Sequence, residues 1–515
     1  AQVAGPSIRV VHLRGHVSTC AIRPTAPSLT LSFLRRAMKP ATYLPLLCGL
    51  FASGAANSAT FSLTIEDLQM KHASRIARLD ALAKIAGLDQ SVGKMIPEPA
   101  AARRLSAVAL QFDTLWALVC GALVMFMQAG FAFLESGSVR KINAGTVLLK
   151  NVMDVCIGTV MWYICGYAFA YGEPAGDAST FIGLSGFAGS SFGTEAADGS
   201  YTGTTHFYAW FFQWAFCATS ATIVSGGVAE RIRFPAYIIY SIVMTALIYP
   251  VIVHWTWASS GWLYSNGYGD FAGSGIVHLT GGIGALVGAI MLGPRTGRWE
   301  APDDFAPQDV SLIVLGTLIL WFGWYGFNCG STLTFNSKSD SYIASVVAMN
   351  TTLSASVGGL TALTLHGVVK KSFDICGMCN GILAGLVAVC AGVNVYRSGL
   401  AVVVGMLGAA AYFATSMLMK KLKVDDPLDA FAVHGAAGIT GLILKPLLDL
   451  NGVSSSGLGW NAIGVVMIII WSGGISLLVF GCLRLAKKLR VDEMEEMEGG
   501  DVKLAHSPPK EHLEI

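Results

Sequence analysis

Eleven apolar segments constrain this chain more than any other feature. They run 114–135, 145–172, 206–228, 234–256, 272–293, 310–330, 342–369, 375–393, 398–419, 428–449 and 460–485, the eighth being the shortest and rich in glycine. About 20 apolar residues span a bilayer as a helix, and helix is the only open-ended structure that satisfies its backbone in lipid. The expected fold is therefore an all-α integral membrane protein of eleven transmembrane helices. Composition agrees: 53% of residues are hydrophobic and 13% charged, about half the charge of a soluble domain. The 59 glycines show no three-residue period and suit close helix packing in lipid. A net charge of +2 implies no nucleic-acid partner. Cys376 and Cys379 form a lone CxxC without a second pair, which reads as packing thiols.

Basic residues mark alternate loops. Arg140/Lys141, Arg231/Arg233, Arg295/Arg298, Lys370/Lys371 and Lys420/Lys421/Lys423 share one side; the other side carries little beyond Lys338 and Arg397 and includes the acidic loop of Glu173, Asp177, Glu195 and Asp198. The positive-inside rule makes the basic side cytosolic. With an odd number of crossings, the N-terminus lies outside and the C-terminus inside. Residues 1–65 contain no acid; Met38-Lys39, an apolar run Tyr43–Ala52 and small residues up to Ala56 and Ala59 follow the order of a cleaved signal peptide. An outside N-terminus is what such a peptide delivers. The rival is an Arg-rich organellar transit peptide, so the expected membrane is the plasma membrane with an organellar one as the alternative. The chain divides into 1–59 (upstream segment and signal peptide, Met38 as the start), 60–110 (an extramembrane amphipathic segment), 111–488 (the membrane domain) and 489–515 (a cytosolic acidic tail).

An internal repeat picks out two histidines. Asp270 precedes Val277-His278 by the same spacing as Asp426 precedes Val433-His434; Gly282-Ile283 and Gly438-Ile439 follow four and five residues on, and Leu286 and Leu442 eight on. The motifs fall in segments five and ten. Segments one to five and six to ten thus read as two copies of one unit. Five is odd, so the second copy is inverted, and a substrate path is expected where the copies meet near the midplane. A lone membrane histidine is as readily a satisfied packing residue as a functional one. His254 and His366 lie near segment ends, whereas His278 and His434 occupy matched depths in opposite-facing halves, where an ionisable residue is expensive and defaults to function.

The stretches Gly130–Arg140, Ala229–Arg233, Asp270–His278, Gly323–Ser331 and Asp426–Gly435, in this order, resemble the Amt/MEP/Rh family of ammonium transporters over residues 113–506. The resemblance implies a homotrimer of eleven-helix subunits in a lipid bilayer, one pore per subunit, carrying ammonium/ammonia with methylammonium as an analogue. Mapped onto this chain, it implies an ammonium-recruitment site of Trp257, Phe212 and Ser331 supported by Asp270, a gate of Phe216 and Phe327, and a pore lined by His278 and His434. Trp257 and Ser331 favour the Amt side, since Rh members generally lack them. Cys390 stands where many members have Thr, and Cys329 where many have Ala. The tail retains part of a regulatory segment that, in the family, docks on a neighbouring subunit, so a regulatory partner there is expected; the blander reading is a solvated acidic tail. Ser507-Pro508 is a candidate phosphorylation site.

The residue types suit such a cargo. Aromatic faces attract cations by about 0.5–2 kcal/mol each, and a serine hydroxyl supplies an acceptor. Asp270 also reads as a plain helix N-cap. An apolar ring pair opposes passage of a charge; ammonium, unlike potassium, can shed its proton, and two neutral imidazoles offer donors and acceptors to what remains. The expected cycle is deprotonation near the gate, ammonia conduction past the histidines, and separate proton transfer, which makes transport electrogenic. The rivals are an Rh-like neutral ammonia or carbon dioxide channel and an ammonium sensor; about thirty residues after the last segment are short for the added signalling domain a sensor uses. No P-loop and no extramembrane cluster of metal ligands is present in the sequence, so neither enzyme activity, a catalytic residue, a metal nor a cofactor is expected.

Overall fold

A computed structural model describes residues 100–172, 180–190, 192–193 and 204–504. The signal-peptide reading, residues 60–99 of the amphipathic segment and Ser507-Pro508 lie outside them. The described residues are helical, with a single isolated β-bridge between Ile232 and Arg490. The main helices are α1 (Ala100–Ser138), α2 (Lys141–Tyr171), α3 (Thr204–Gly227), α4 (234–257), α5 (Ser274–Leu292), α6 (Val310–Gly330), α7 (Lys338–Lys370), α8 (Ile375–Val389), α9 (Ser398–Lys421), α10 (Phe431–Leu447) and α11 (Ser455–Leu485).

Eight of these, all but α3, α8 and α10, are long and apolar enough to cross a membrane. The other three fall where segments three, eight and ten were read, but α8 and α10 are shorter and α3 carries Trp, Tyr, Gln and hydroxyl residues that hold its hydropathy down. The molecule is thus a multi-pass helical membrane protein. Large apolar side chains such as Leu115, Val152, Phe322, Leu360 and Leu478 are exposed on its flanks, as surfaces facing lipid require. The first helix begins at Ala100 and runs straight through the 110/111 boundary drawn from the sequence.

Packing follows the repeat. The opening helices of the two halves, α1 and α6, lie against each other through small residues. A Cβ on Gly130 would stand 2.7 Å from Leu320 and one on Gly316 2.5 Å from the Leu134 nitrogen, while Gly137 faces Asp309 and Gly326 faces Cys120. Rising numbers on one helix meet falling numbers on the other, so the pair is antiparallel. The closing helices behave alike: Gly282 abuts Gly435 and Gly438 abuts the Ser274 carbonyl. In lipid, where burial of apolar surface does not drive helices together, such close backbone approach is the main adhesive. Antiparallel pairing of equivalent helices is the arrangement an inverted repeat requires.

The starts of α5 and α10 also match locally. Three residues after Asp270 and Asp426, the chain turns left-handed at Gly273 (φ 103°) and Asp429 (φ 56°). Each helix then opens with a π-helical turn, Ser274–Leu279 or Phe431–Ala436, that contains the histidine. A π turn also precedes Pro250 in α4, at Met244–Ile248; proline has no N–H to donate, and the widened turn accommodates its ring.

All the basic loops except the one around Lys370 meet at one end in a buried ion cluster. Arg295 makes a bidentate contact with Asp425 (2.8 and 3.0 Å) and also pairs with Glu230, which in turn pairs with Arg140. Residues 489–504 of the tail fold back onto this end. Asp501 accepts from the Gly145 and Thr146 amides (2.8 and 2.7 Å), Glu496 from the Thr296 amide (2.8 Å) and from Arg490 (2.8 Å). Glu496 is buried and its partners belong to its own chain, whereas Asp492, Glu493 and Glu498 stay exposed.

Candidate functional site

At the end opposite the ion cluster, a vestibule of about 450 Å³ is walled by Phe212, Phe216, Trp257 and Ser331 among others. Phe212 and Phe216 sit one turn apart on α3, so both rings project from the same face. Trp257 ends α4 and Ser331 follows the last turn of α6. The Trp257 indole Nε1 donates to the Asp270 carbonyl (2.8 Å), which fixes the plane of the ring. Ser331 Oγ donates to the Phe327 carbonyl (2.8 Å); its proton is thereby committed, and its lone pairs remain as acceptors.

Asp270 does not face the vestibule. Its carboxylate accepts from the backbone N–H groups of Gly273, Ser274, Gly275 and Ile276 at 2.8–3.2 Å. Lying three residues before the N-cap Gly273, it caps the helix with its side chain and satisfies all four donors a helix start leaves unpaired. Through its carbonyl it also positions Trp257, so the cap and the support role coincide in one residue.

Below the vestibule the rings form a continuous column. Phe212 and Phe216 have centroids 4.8 Å apart, and Phe216 stacks on Phe327 at 4.1 Å and 25°. That spacing is van der Waals contact, so the column is closed here. Phe327 stacks over His278 (5.4 Å), and the His278 and His434 rings lie nearly parallel, 18° apart, with centroids 5.3 Å apart. The two imidazoles meet edge to edge with Nδ1 atoms 3.3 Å apart. One of these nitrogens must carry the hydrogen and the other accept it, so the pair shares one proton along this edge. His278 is walled by Trp324 (5.2 Å) and approaches Cys390 Sγ at 4.0 Å. His254 and His366 are elsewhere, His254 bonded to the Ala170 carbonyl (2.9 Å) and His366 paired with Asp374 (3.0 Å).

All eight residues singled out from the sequence thus belong to one column: Trp257, Phe212 and Ser331 around the vestibule, Asp270 behind it, Phe216 and Phe327 across it, His278 and His434 beneath. Beyond His434 lies a cavity of about 20 Å³ bordered by Phe131, Thr222, Asn380 and Glu135. Glu135 was quoted above only as part of a motif. The signal for it was present: Glu135, Lys150 and Asp154 are ionisable, lie within apolar runs, and are buried, which is the criterion that singled out the histidines. Cys376 and Cys379 are free thiols, and among the described residues no His, Cys, Asp and Glu side chains group to hold a metal ion.

The ion cluster sets the electrostatics of the end opposite the vestibule. Burial pushes Glu230 upward, but Arg295 and Arg140 more than offset it and leave its carboxyl below the ordinary range. Burial likewise opposes ionisation of Asp425, yet its hydrogen bonds and charge contact with Arg295, with Arg231 nearby, hold it well below that range.

Comparison with known proteins places this architecture in context. The profile of the Ammonium Transporter Family matches residues 115–507. A putative ammonium transporter 1 of Caenorhabditis elegans is 37% identical over 413 residues, covering 74% of this chain and 75% of its own length. Ammonium transporter Amt2 of Archaeoglobus fulgidus is 37% identical over 427 residues, covering 76% and 87%. Among solved structures, a sensor Amt protein superposes with a TM-score of 0.71 at 33% identity, over 78% of this chain and all of its own. Candida albicans Mep2 superposes with a TM-score of 0.66 at 28% identity, over 75% and 87%.

Proposed function

This chain belongs to the ammonium transporter family, and on that footing we propose that it carries ammonium across a membrane through the column built on His278 and His434. The single observation that supports this best is the unbroken succession of cation-attracting vestibule, stacked Phe216–Phe327 and paired imidazoles, with Nδ1 atoms 3.3 Å apart. Ammonium is recruited between Trp257 and Phe212, with Ser331 as acceptor and about 0.5–2 kcal/mol from each aromatic face. It gives up its proton above the gate, because a closed apolar ring pair is a place where a charge finds no compensation. The gate opens by ring rotation, a fast side-chain motion. Ammonia passes the histidines, while the proton is handed on separately through the shared Nδ1 edge.

In this reading α3, α8 and α10 also cross, giving eleven helices with the N-terminus outside and the ion-cluster end in the cytosol, as the basic loops suggest. The exposed apolar flanks serve a homotrimer in a lipid bilayer, and the plasma membrane is its place. The tail, docked on the inner loops, is the point at which a partner would act on the pore. The sensor reading draws on the fold shared with a sensor Amt protein; steady ammonium uptake separates the two. The neutral-channel reading predicts uptake without current.

The test is ammonium-evoked current in whole cells, with methylammonium and potassium as comparison cations. Wild-type protein gives current with ammonium and methylammonium and none with potassium. Replacing His434 by Asp or Glu is expected to change the current or its selectivity. Current and selectivity both unchanged would remove the histidine pair from the mechanism.

A further inference from the structure

Three ionisable side chains on the helices beside the pore have no role so far. Glu135 on α1 and Lys150 and Asp154 on α2 are 1%, 2% and 0% exposed. Ionisable groups buried in a membrane are costly and are kept for a reason. We propose that Glu135, Lys150 and Asp154 form the inner proton relay, taking the proton that leaves His434 to the ion-cluster face by a route separate from that of ammonia. The proposal rests on the separate-proton reading above.

The first support is position. Glu135 and His434 border the same cavity, whose volume of about 20 Å³ suits a single water. Thr222 and Asn380 border it too, so a bridging water has polar partners there. Lys150 in turn belongs to the wall of a second cavity of about 240 Å³, shared with Glu230 and with Glu495 and Lys503 of the tail. The triad therefore connects the foot of the histidine pair to a space under the docked tail.

The second support is chemistry. Asp154 accepts from the hydroxyls of Tyr237 and Ser241, the latter at 2.7 Å. Glu135 accepts from Ser225 Oγ at 2.7 Å. One ammonium then faces two carboxylates, and the buried group gains by taking up one proton to become neutral. A static clamp would close Lys150 onto an acid. Instead, Lys150 Nζ has no hydrogen-bond partner and sits over the Tyr237 ring, 5.3 Å from its centroid, in an arrangement that leaves the ammonium free to exchange protons.

The transfer balances. The N–H bond of the His434 imidazolium breaks and an O–H bond forms on Glu135 through the water between them. Lys150, now facing one carboxylate fewer, releases a proton from Nζ to water in the tail-covered cavity. The Glu135 O–H bond then breaks as Nζ regains its proton. The triad ends in its starting charge state, one proton has moved, and nothing is oxidised or reduced. Ammonia is neutral and needs none of these groups.

Proteoliposomes carrying the full chain allow two independent readings: current after an ammonium pulse, and internal alkalinisation driven by an ammonia gradient. Glu135→Gln is expected to lower the current at least about tenfold, the scale of losing one positioned proton carrier, while ammonia-driven alkalinisation stays close to wild type. Glu135→Asp should restore most of the current. Lys150→Met, read in the same way, serves if Glu135→Gln fails to assemble. Glu135→Gln with wild-type current overturns the relay, as does an equal loss of current and ammonia permeability in both Glu135→Gln and Lys150→Met. A wild-type protein that alkalinises vesicles but gives no current overturns the electrogenic reading itself.

Discussion

The loops leading into α5 and α10 are built from the same motif and hold their helices by different means. Each has an Asp, a left-handed residue three positions later, and a π turn carrying Val-His. Asp270, however, caps four backbone donors, whereas Asp426 accepts from the Phe431 amide (2.8 Å), with the Ala430 amide its one other backbone donor nearby. The α10 start is secured by neighbouring loops instead. Arg231 donates to the Asp425 carbonyl (2.6 Å), Arg295 binds the Asp425 carboxylate, and Lys420 approaches Asp429 at 3.6 Å. The α5 start, its backbone donors capped by one nearby carboxylate, is a rigid wall for the vestibule. The α10 start, tied by side-chain charges to loops and through them to the tail, is one whose stability conditions and partners can alter.

That contrast is most directly broken by removing the caps. Asp270→Ala leaves four buried N–H groups unpaired at about 1–3 kcal/mol each before water enters, so a loss of about 5 kcal/mol is expected. Asp426→Ala removes one ordinary cap interaction, worth about 1 kcal/mol. Thermal unfolding of the two variants in detergent measures the difference, and equal losses would mean the two starts are equivalent after all.

Next in size is Arg295→Ala, which leaves buried Glu230 with Arg140 and buried Asp425 with the more distant Arg298; breaking such a network by removing one partner costs about 3–5 kcal/mol. It also carries a pH signature. Both acids are held below their ordinary range when folded. Their contribution is therefore complete above the unfolded carboxylate range, near pH 4, and is lost as pH falls through that range toward the depressed folded values. The unfolding midpoint of wild type should drop as pH falls from 5 toward 3, and Arg295→Ala should flatten that drop. A variant with the same acid sensitivity as wild type would place the titrating groups elsewhere.

The sequence made the vestibule end legible and much of the ion-cluster end opaque, for a physical reason. Repeat, cap and aromatic residues are encoded within short stretches: Asp270 reads as an N-cap from its place before Ser274, and His278 and His434 stand out because their flanks match. The ion cluster joins residues 140, 230, 295 and 425. Read along the chain, its arginines look like ordinary basic loops, and nothing local reveals that Glu230 and Asp425 neutralise them in a buried core. The docked tail is a similar case, since Glu496 and Asp501 look like solvated acids until their partners at Thr296 and Gly145 come near. The π turns leave no trace in periodicity. Glu135, Lys150 and Asp154 were readable, but the motif around Glu135 drew attention to its pattern and away from its charge.

A smaller effect tests the vestibule alone. Trp257→Leu removes one aromatic face and leaves the Asp270 cap intact, so folding should be little changed while apparent ammonium affinity falls. One face at about 0.5–2 kcal/mol corresponds to a rise in KM of about 2- to 30-fold. The half-saturation of ammonium-evoked current measures it; an unchanged value would mean that recruitment does not use this ring.

The smallest expected effect concerns the asymmetry between the two histidines themselves. Cys390 approaches His278 and not His434. Its thiol accepts from Trp324 Nε1 (3.2 Å) and reaches Asn328 Oδ1 (3.2 Å) and the Leu386 carbonyl (3.1 Å). A threonine hydroxyl can accept and donate at the same place, and the added methyl is small, so Cys390→Thr should change stability by less than about 1 kcal/mol and leave current close to wild type. Cys390→Ala removes the acceptor and leaves a buried indole N–H unpaired, at a cost of about 1–3 kcal/mol. If Thr is harmless and Ala is not, position 390 matters as the acceptor that holds Trp324 against His278. If both are harmless, the wall around His278 is held by packing alone, and the two histidines are more alike than their surroundings suggest.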